Sequence, residues 1–135
     1  MKILIVDDEP LVRKSLGRAF KAKGHEVSEA VDGSEGLKMW LDLLARNEPD
    51  IVLVDVLMPG LSGPELLNEM RPQLLARSEA GQSWKGRVIL MSAYSGEHNV
   101  TTAQQVGADL FVPKPFDDVF ALVKTAEQLF EQSKS

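Results

Sequence analysis

The chain has 135 residues, a length that suits one domain, and its 15 Lys and Arg against 20 Asp and Glu give a formal net charge of −5. This acidic balance, without any basic run, argues against direct binding of nucleic acid, whose phosphates must be neutralised by cations. The absence of cysteine excludes disulfides and thiolate metal sites, and no apolar run approaches the roughly 18 residues of a membrane span. We therefore expect a single cytoplasmic domain over residues 1–135.

Five short apolar runs, rich in Val, Ile and Leu, predict the strands of a parallel sheet that is covered on both faces. They are residues 3–6, 27–30, 51–54, 87–91 and 109–112, of which the second is the weakest and belongs near an edge. Segments with helical periodicity lie between them, at 10–23, at 34–46, from near Pro64, at 97–106 and from near Asp117.

Apolar spacing and turn residues predict how these helices are buried and where they end. The apolar face is Val12, Leu16, Ala19 and Phe20 on the first helix, and Leu37, Leu41 and Leu44 on the second. Asp32 can cap the second helix, Pro64 suits the first turn of the third, and Pro72 should kink that helix or end it early. Residues 78–86 form a surface loop anchored by Trp84, to which the sequence assigns no function. The two histidines, His25 and His98, are predicted to be solvated.

The repeated strand–helix order defines the fold class. Right-handed crossovers require an α/β fold with a parallel sheet and helices on both faces, a three-layer sandwich. Of the known doubly wound orders, the flavodoxin-like order 2-1-3-4-5 suits five strands.

Five polar residues follow the predicted strands at their carboxyl ends, where ligands bind in such sheets. They are Asp7, Asp8, Asp55, Ser92 and Lys114. Strands one and three are neighbours in the predicted order, so the three aspartates should converge, and their repulsion favours a divalent cation. Two or three carboxylates in an open crevice favour Mg²⁺ over Ca²⁺. Alternatively, Asp7 and Asp8 only cap the first helix.

The remaining side chains of this group suit phosphoryl chemistry. A carboxylate such as Asp55 can act as a nucleophile toward a phosphoryl group, with Lys114 and the Ser92 hydroxyl on the peripheral oxygens. A nucleotide cradle is disfavoured because acidic residues, rather than glycines, fill the first strand–helix turn. Taken singly, Lys114 could be a surface lysine and Ser92 a helix cap.

Four motifs together closely resemble the receiver domain of two-component response regulators, over essentially the whole chain. They are Ile5-Val6-Asp7-Asp8-Glu9, Val54-Asp55-Val56-Leu57-Met58-Pro59-Gly60, Met91-Ser92-Ala93 and Lys114-Pro115-Phe116. The resemblance implies that Asp55 accepts a phosphoryl group from a phosphohistidine on a sensor histidine kinase or a phosphotransfer protein. It also implies that Asp8, Asp55 and the Leu57 carbonyl bind Mg²⁺, with Asp7 acting through water, and that Lys114 pairs with the phosphate.

The same resemblance implies a switch and a phosphate lifetime. Ser92 would move toward the phosphate and Phe111 would swing inward. These movements would shift the face formed by the predicted helix at 97–106, the fifth strand and the last helix. The Lys114–Pro115 bond is expected to be cis. Leu57 and Tyr94 occupy positions that tune hydrolysis in the family, and because neither can orient water strongly, slow hydrolysis is predicted.

Two other functions compete with a signalling switch that turns over no separate substrate. A small Mg²⁺-dependent phosphatase of the haloacid dehalogenase type would also use an Asp nucleophile, but it carries a second Asp where Leu57 stands. A DNA-binding regulator would need a further domain, so the chain is either a stand-alone receiver or a fragment of a longer regulator. The sequence names neither the kinase nor the downstream protein target, nor the oligomeric state.

Overall fold

The computed structural model describes residues 1–93, 107–116 and 118–133. The predicted helix at 97–106, together with Tyr94, His98 and Asp117, lies outside these residues. Within the described part, no helix is long and apolar enough to cross a membrane.

The described strands form one five-stranded parallel sheet in the order β2–β1–β3–β4–β5, which confirms the predicted fold class. They are β1 (Lys2–Val6), β2 (Glu26–Ala30), β3 (Ile51–Asp55), β4 (Arg87–Ser92) and β5 (Leu110–Pro113), each within one residue of its predicted limits. The register pairs Val6 with Val54 and Asp55 with Met91, so the carboxyl ends of the central strands lie side by side.

Four helices lie in the described residues, namely α1 (Pro10–Ala22), α2 (Gly33–Leu44), α3 (Gly63–Glu79) and α4 (Val119–Ser133). Alternate strand residues divide the core between two faces of the sheet. Leu4, Val52 and Leu90 pack under α2 and α3, whereas Ile3, Leu53 and Ile89 pack under α1 and α4. Near-continuous apolar strands with helices on both sides are what a parallel sheet requires.

The predicted inward face of the second helix is wrong at one position. Leu41 is 38% exposed, whereas Trp40 is fully buried and packs with Leu44 in the core. Leu37, Trp40 and Leu44 follow the three- and four-residue spacing of one helix face. Leu41 follows Trp40 by one residue, about 100° further around the helix, and therefore faces outward.

Of the two outcomes predicted for Pro72, a kink or an early end, the early end is wrong, because α3 continues through Pro72 to Glu79. Pro72 removes the backbone hydrogen bond to the carbonyl of Asn68. Both residues are exposed, so water can satisfy that carbonyl. The predicted loop at 78–86 accordingly begins two residues later than expected.

The prediction that His25 is solvated is also wrong. Its side chain is only 11% exposed, and its Nε2 lies 2.8 Å from Glu127 Oε2 on α4. The amino group of Met1 approaches its Nδ1 to 3.0 Å. These partners are distant from residue 25 in the sequence, so local spacing does not reveal them.

Candidate functional site

The carboxyl ends of β1 and β3 bring four acidic side chains together. Asp7, Asp8, Glu9 and Asp55 each offer a carboxylate oxygen, and these oxygens all lie within 4.8 Å of one another. Asp7 is fully buried and Asp55 is 5% exposed, whereas the other two are accessible to solvent. The predicted convergence of Asp7, Asp8 and Asp55 is thus present in the structure, and Glu9 joins it.

The turn after β1 is held by backbone contacts to Asp7. Its N–H donates to the carbonyl of Ala30 at 3.2 Å, and its Oδ1 accepts from the Glu9 N–H at 2.9 Å. Arg13 Nη1 donates to the Asp7 carbonyl at 2.7 Å, and Arg13 Nε lies 3.6 Å from Glu29 Oε1 on β2. Sequence reasoning missed Arg13, although its place one turn into α1 was a usable signal.

The loop after β3 is fixed by close packing at the start of α3. A Cβ on Gly63 would lie 2.5 Å from the carbonyl oxygen of Asp55, so only glycine fits there. Ser62 caps α3 by accepting from the Glu65 N–H, and the Glu65 side chain accepts from the Ser62 N–H. These contacts hold the chain that leaves Asp55 against the end of the strand.

Lys114 supplies the cation of the site. Its Nζ lies 2.6 Å from Asp7 Oδ2, 3.0 Å from Glu9 Oε1 and 3.3 Å from Asp55 Oδ2. Its N–H donates to the carbonyl of Ser92 at 2.8 Å, which ties the residue after β5 to the end of β4. The bond between Lys114 and Pro115 is cis, as expected.

Burial and charge shift the titration of three of these groups. Burial raises the pKa of Asp55 to about 6, helped by the charge of Asp7 and opposed by Lys114. Burial likewise raises the pKa of Asp7, although Lys114 opposes it. Burial disfavours the charged form of Lys114, but contacts with Asp7 and Glu9 and the charge of Asp55 outweigh it, which raises the pKa of Lys114.

The acid cluster fits a hard divalent cation. Among the described residues, one side-chain ammonium, that of Lys114, contacts three of the four carboxylates, which leaves an excess of negative charge in a partly buried crevice. In the part of the chain that the structure describes, the close partner of the buried Asp7 Oδ2 is Lys114 Nζ at 2.6 Å. Oxygen ligands in an open crevice are what Mg²⁺ takes.

The other predicted site residues lie around this cluster. Ser92 is fully buried at the end of β4, next to Asp55 on the neighbouring strand. Phe111 is partly buried in β5 against the core under α2 and α3. Leu57 is 60% exposed just beyond Asp55. The roles predicted for these residues, including metal binding by the Leu57 carbonyl, stay predictions.

An apolar groove of about 420 Å³ opens beside Lys114. Its wall includes Leu11 and Val12 of α1, Phe116, and Val119 of α4. Leu11 is 84% exposed, an unusual position for a large apolar side chain beside a polar site. The site therefore has a charged centre and an apolar rim.

Comparisons with known proteins agree with this fold and show the family of the chain. Residues 3–127 match the family model of the response regulator receiver domain. The chain is 36% identical over 135 residues to the regulatory protein AtoC of Escherichia coli K12, covering 98% of this chain and 26% of AtoC. It is 35% identical over 116 residues to the response regulator MprA of Mycobacterium sp. strain KMS, covering 86% of this chain and 45% of MprA.

Among solved structures, the response regulator TrrA of Thermotoga maritima, in complex with Mg²⁺ and BeF, is similar with a TM-score of 0.70. It is 29% identical, and the match covers 96% of this chain and 97% of TrrA. The chain thus belongs to the family of response regulator receiver domains, and its function is phosphorylation-dependent signalling. It spans less than half the length of the curated relatives AtoC and MprA.

Proposed function

We propose that Asp55 is the phosphoryl acceptor of this receiver domain and that the surrounding acids hold Mg²⁺. The observation that carries the proposal is the gathering of four carboxylates and Lys114 at the end of β3. Asp55 is the acid of this cluster that lies on the central strand, directly beside the end of β4. The TrrA complex supports the proposal, because that relative binds Mg²⁺ with BeF.

The chemistry follows from the charges of the site. A carboxylate oxygen of Asp55 attacks the phosphorus of a phosphohistidine, the new O–P bond forms, and the P–N bond breaks with its electron pair returning to the imidazole. Mg²⁺, held by Asp7, Asp8, Asp55 and the Leu57 carbonyl, would neutralise the acids and the phosphoryl oxygens. Lys114 stays protonated, because its pKa is raised, and can move from Asp55 to the new phosphate.

The signal would leave the site through Ser92 and Phe111. Ser92 ends the strand next to Asp55, so its hydroxyl is well placed to donate a hydrogen bond to the phosphate. Phe111 lies on β5, paired in register with Leu90 on β4. A shift of Ser92 and an inward turn of Phe111 would together favour a second packing of the surface around β5.

The proposed partner is a sensor histidine kinase or a phosphotransfer protein. Its phosphohistidine must approach Asp55 closely, so part of its surface must cover the rim of the site. Leu11 and the apolar groove beside Lys114 offer a contact for an apolar side chain of that partner. The downstream target, a cytoplasmic location and the expected lack of direct nucleic-acid contact stay predictions.

No comparison supports the phosphatase alternative. The haloacid dehalogenase mechanism needs a general acid two residues after the nucleophile, and Leu57 occupies that place with no titratable group. We accordingly propose that the domain catalyses its own phosphorylation and turns over no separate ester.

The test is incubation with a small phosphodonor and Mg²⁺, followed by intact-mass measurement. The wild-type protein should gain one phosphoryl group and Asp55→Asn should gain none. Asp42→Asn, an exposed aspartate on α2, is the matched control and should behave like wild type. Phosphorylation of Asp55→Asn at the wild-type level would show that another residue is the acceptor.

A further inference from the structure

The connection between α3 and β4, residues 80–86, is built as a fixed loop. The Trp84 Nε1–H donates to the carbonyl of Pro49 at 2.8 Å, and its ring lies 5.3 Å from that of Trp40. A Cβ on Gly86 would lie 2.2 Å from the Trp84 ring, so glycine is required beneath it. At the other end, Ser83 Oγ lies 2.9 Å from Ser78 Oγ on α3. The loop is therefore anchored at both ends.

The loop forms one wall of a polar depression of about 670 Å³. The connection from α2 to β3 forms the other wall, so the depression lies at the amino ends of β3 and β4, opposite the acid cluster. Its polar lining is Arg46, Asn47, Arg77, Gln82, Ser83 and Lys85, and neither a carboxylate nor an aromatic ring lines it. All of its lining residues belong to the described part of the chain.

The cations of this depression have few partners of their own. Among the described residues, Arg77 and Lys85 form no ion pair, and Arg46 pairs with Glu48 at 3.5 Å while remaining 70% exposed. Such an exposed pair contributes little and can open. Three positive side chains thus line one depression on a protein whose net charge is −5.

Arg77 has hydrogen-bonding capacity that the described residues do not use. Its Nε is buried and has no hydrogen-bond partner, and its Nη2 reaches Asn47 Oδ1 only at 3.5 Å. A buried donor without an acceptor is costly, and a rotation of the Arg77 side chain that brings Nε to the depression would let the guanidinium donate to two oxygens of a phosphate or carboxylate.

The end of α3 would ordinarily repel an anion, because its last carbonyls carry partial negative charge. Here the N–H groups of Ala80, Gly81 and Gln82 donate to the carbonyls of Ala76, Ser78 and Arg77. These bonds satisfy three carbonyls near the end of the helix. The charged side chains of Arg77 and Lys85 line the depression at this place.

We propose that this depression binds an oligophosphate anion of two or more linked phosphate groups. Three cations from separate segments, in a space much larger than one phosphate, suit a ligand with several charged groups. The absence of an aromatic lining residue leaves no surface for a nucleobase to stack on, so recognition is of the phosphate chain. A free polyphosphate and the phosphate tail of a nucleotide share this chemistry.

Sodium triphosphate, titrated into the whole chain at low salt after divalent cations are removed, tests the proposal. Trp84 lies between the lining residues Ser83 and Lys85, and its ring packs on Trp40, so tryptophan fluorescence should report binding. We expect Arg77→Gln/Lys85→Gln to weaken the affinity by roughly tenfold or more. Lys85→Gln alone, an exposed loop substitution, should weaken it less and keeps the test valid if the double variant does not fold.

Matched controls separate this site from charge in general and from phosphorylation. Lys14→Gln/Arg18→Gln removes the same charges from the exposed surface of α1 and should leave binding unchanged, as should Asp55→Asn. ATP without Mg²⁺ should bind as triphosphate does. No binding of triphosphate, equal weakening in the α1 variant, much tighter binding of ATP, or equal affinity for an oligoglutamate peptide would each overturn the proposal.

Discussion

The sheet has two sides, which we call the carboxyl edge and the amino edge because they lie at the carboxyl and amino ends of the strands. They differ in how their charge is arranged. At the carboxyl edge, Asp7, Glu9 and Asp55 surround Lys114, and the acids outnumber the cation. At the amino edge, Arg77 and Lys85 lie in an open depression with no acidic partner among the described residues. The acid cluster contains buried like charges, whereas the amino-edge cations are spread over an exposed surface and repel each other less.

The edges also differ in what they contribute to stability. The carboxyl edge places buried carboxylates close together, which destabilises the folded state but prepares a site for a cation. The amino edge is closed by the Trp84 loop, whose ring packs on Trp40 and against the core. Substitutions at the two edges should therefore change stability in opposite directions.

Trp84→Ala should give the largest change in stability. It removes a partly buried ring and the hydrogen bond to Pro49, which should lower the free energy of unfolding by about 3 kcal/mol. Chemical denaturation measures this change. Phosphorylation by a small phosphodonor under folding conditions should stay at the wild-type level, and a loss of both properties would show that the two edges are not independent.

Asp55→Asn should change the free energy of unfolding in the opposite direction and stabilise the fold. Burial raises the pKa of Asp55 to about 6, above its ordinary value of 3.8, so the folded state binds this proton more tightly than the unfolded chain. The ionised carboxylate therefore destabilises the fold above pH 6, and this cost disappears as the pH falls toward 4. Without Mg²⁺, the variant should gain up to about 3 kcal/mol at pH 8 and almost nothing at pH 4.

Denaturation curves at the two pH values measure the Asp55 effect, with Asp42→Asn as the exposed control. Mg²⁺ should stabilise the wild-type protein and do so much less for Asp55→Asn, because a ligand stabilises only the state that binds it. A gain that is equal at both pH values would contradict the assignment of the effect to ionisation.

The carboxyl edge was predictable from the sequence because its residues follow directly from the strands. Once the strand order is known, Asp7 and Asp55 must lie side by side, since they end neighbouring strands. The same reasoning places Lys114 after β5, but it does not give the reach of its side chain across to Asp7 or Glu9. That contact depends on the path of the loop after β5.

At the amino edge the sequence predicted Trp84 as the anchor of its loop, but not its partners, because the contacts there join segments that are far apart in the chain. The bond from Trp84 to Pro49 spans 35 residues, and nothing in the local pattern of either segment indicates it. His25 and Glu127 are 102 residues apart and gave no signal. Leu41 shows a smaller failure, because periodicity alone cannot choose between two adjacent large apolar residues.

Leu11→Asp tests whether the apolar rim belongs to the carboxyl edge as a docking surface. Phosphotransfer from a kinase or phosphotransfer protein should fall by roughly tenfold, because a charge replaces an apolar contact beside Lys114. Phosphorylation by a small phosphodonor should not change. Leu75→Asp, an exposed leucine on α3, is the matched control, and an equal loss in that variant would remove Leu11 from the docking surface.

Leu57→Asn should give the smallest effect. We expect the phosphoryl group to be lost a few-fold faster, because the new side chain can assist the attacking water. The Leu57 side chain is exposed beside Asp55, so it covers the approach to the phosphate with an apolar group that cannot orient water. An amide at the same place can donate to and accept from an attacking water. Decay of the phosphorylated protein, followed by intact mass, measures the rate. An unchanged rate would mean that water reaches the phosphate from another side, and that the residues around Ser92 control the lifetime instead.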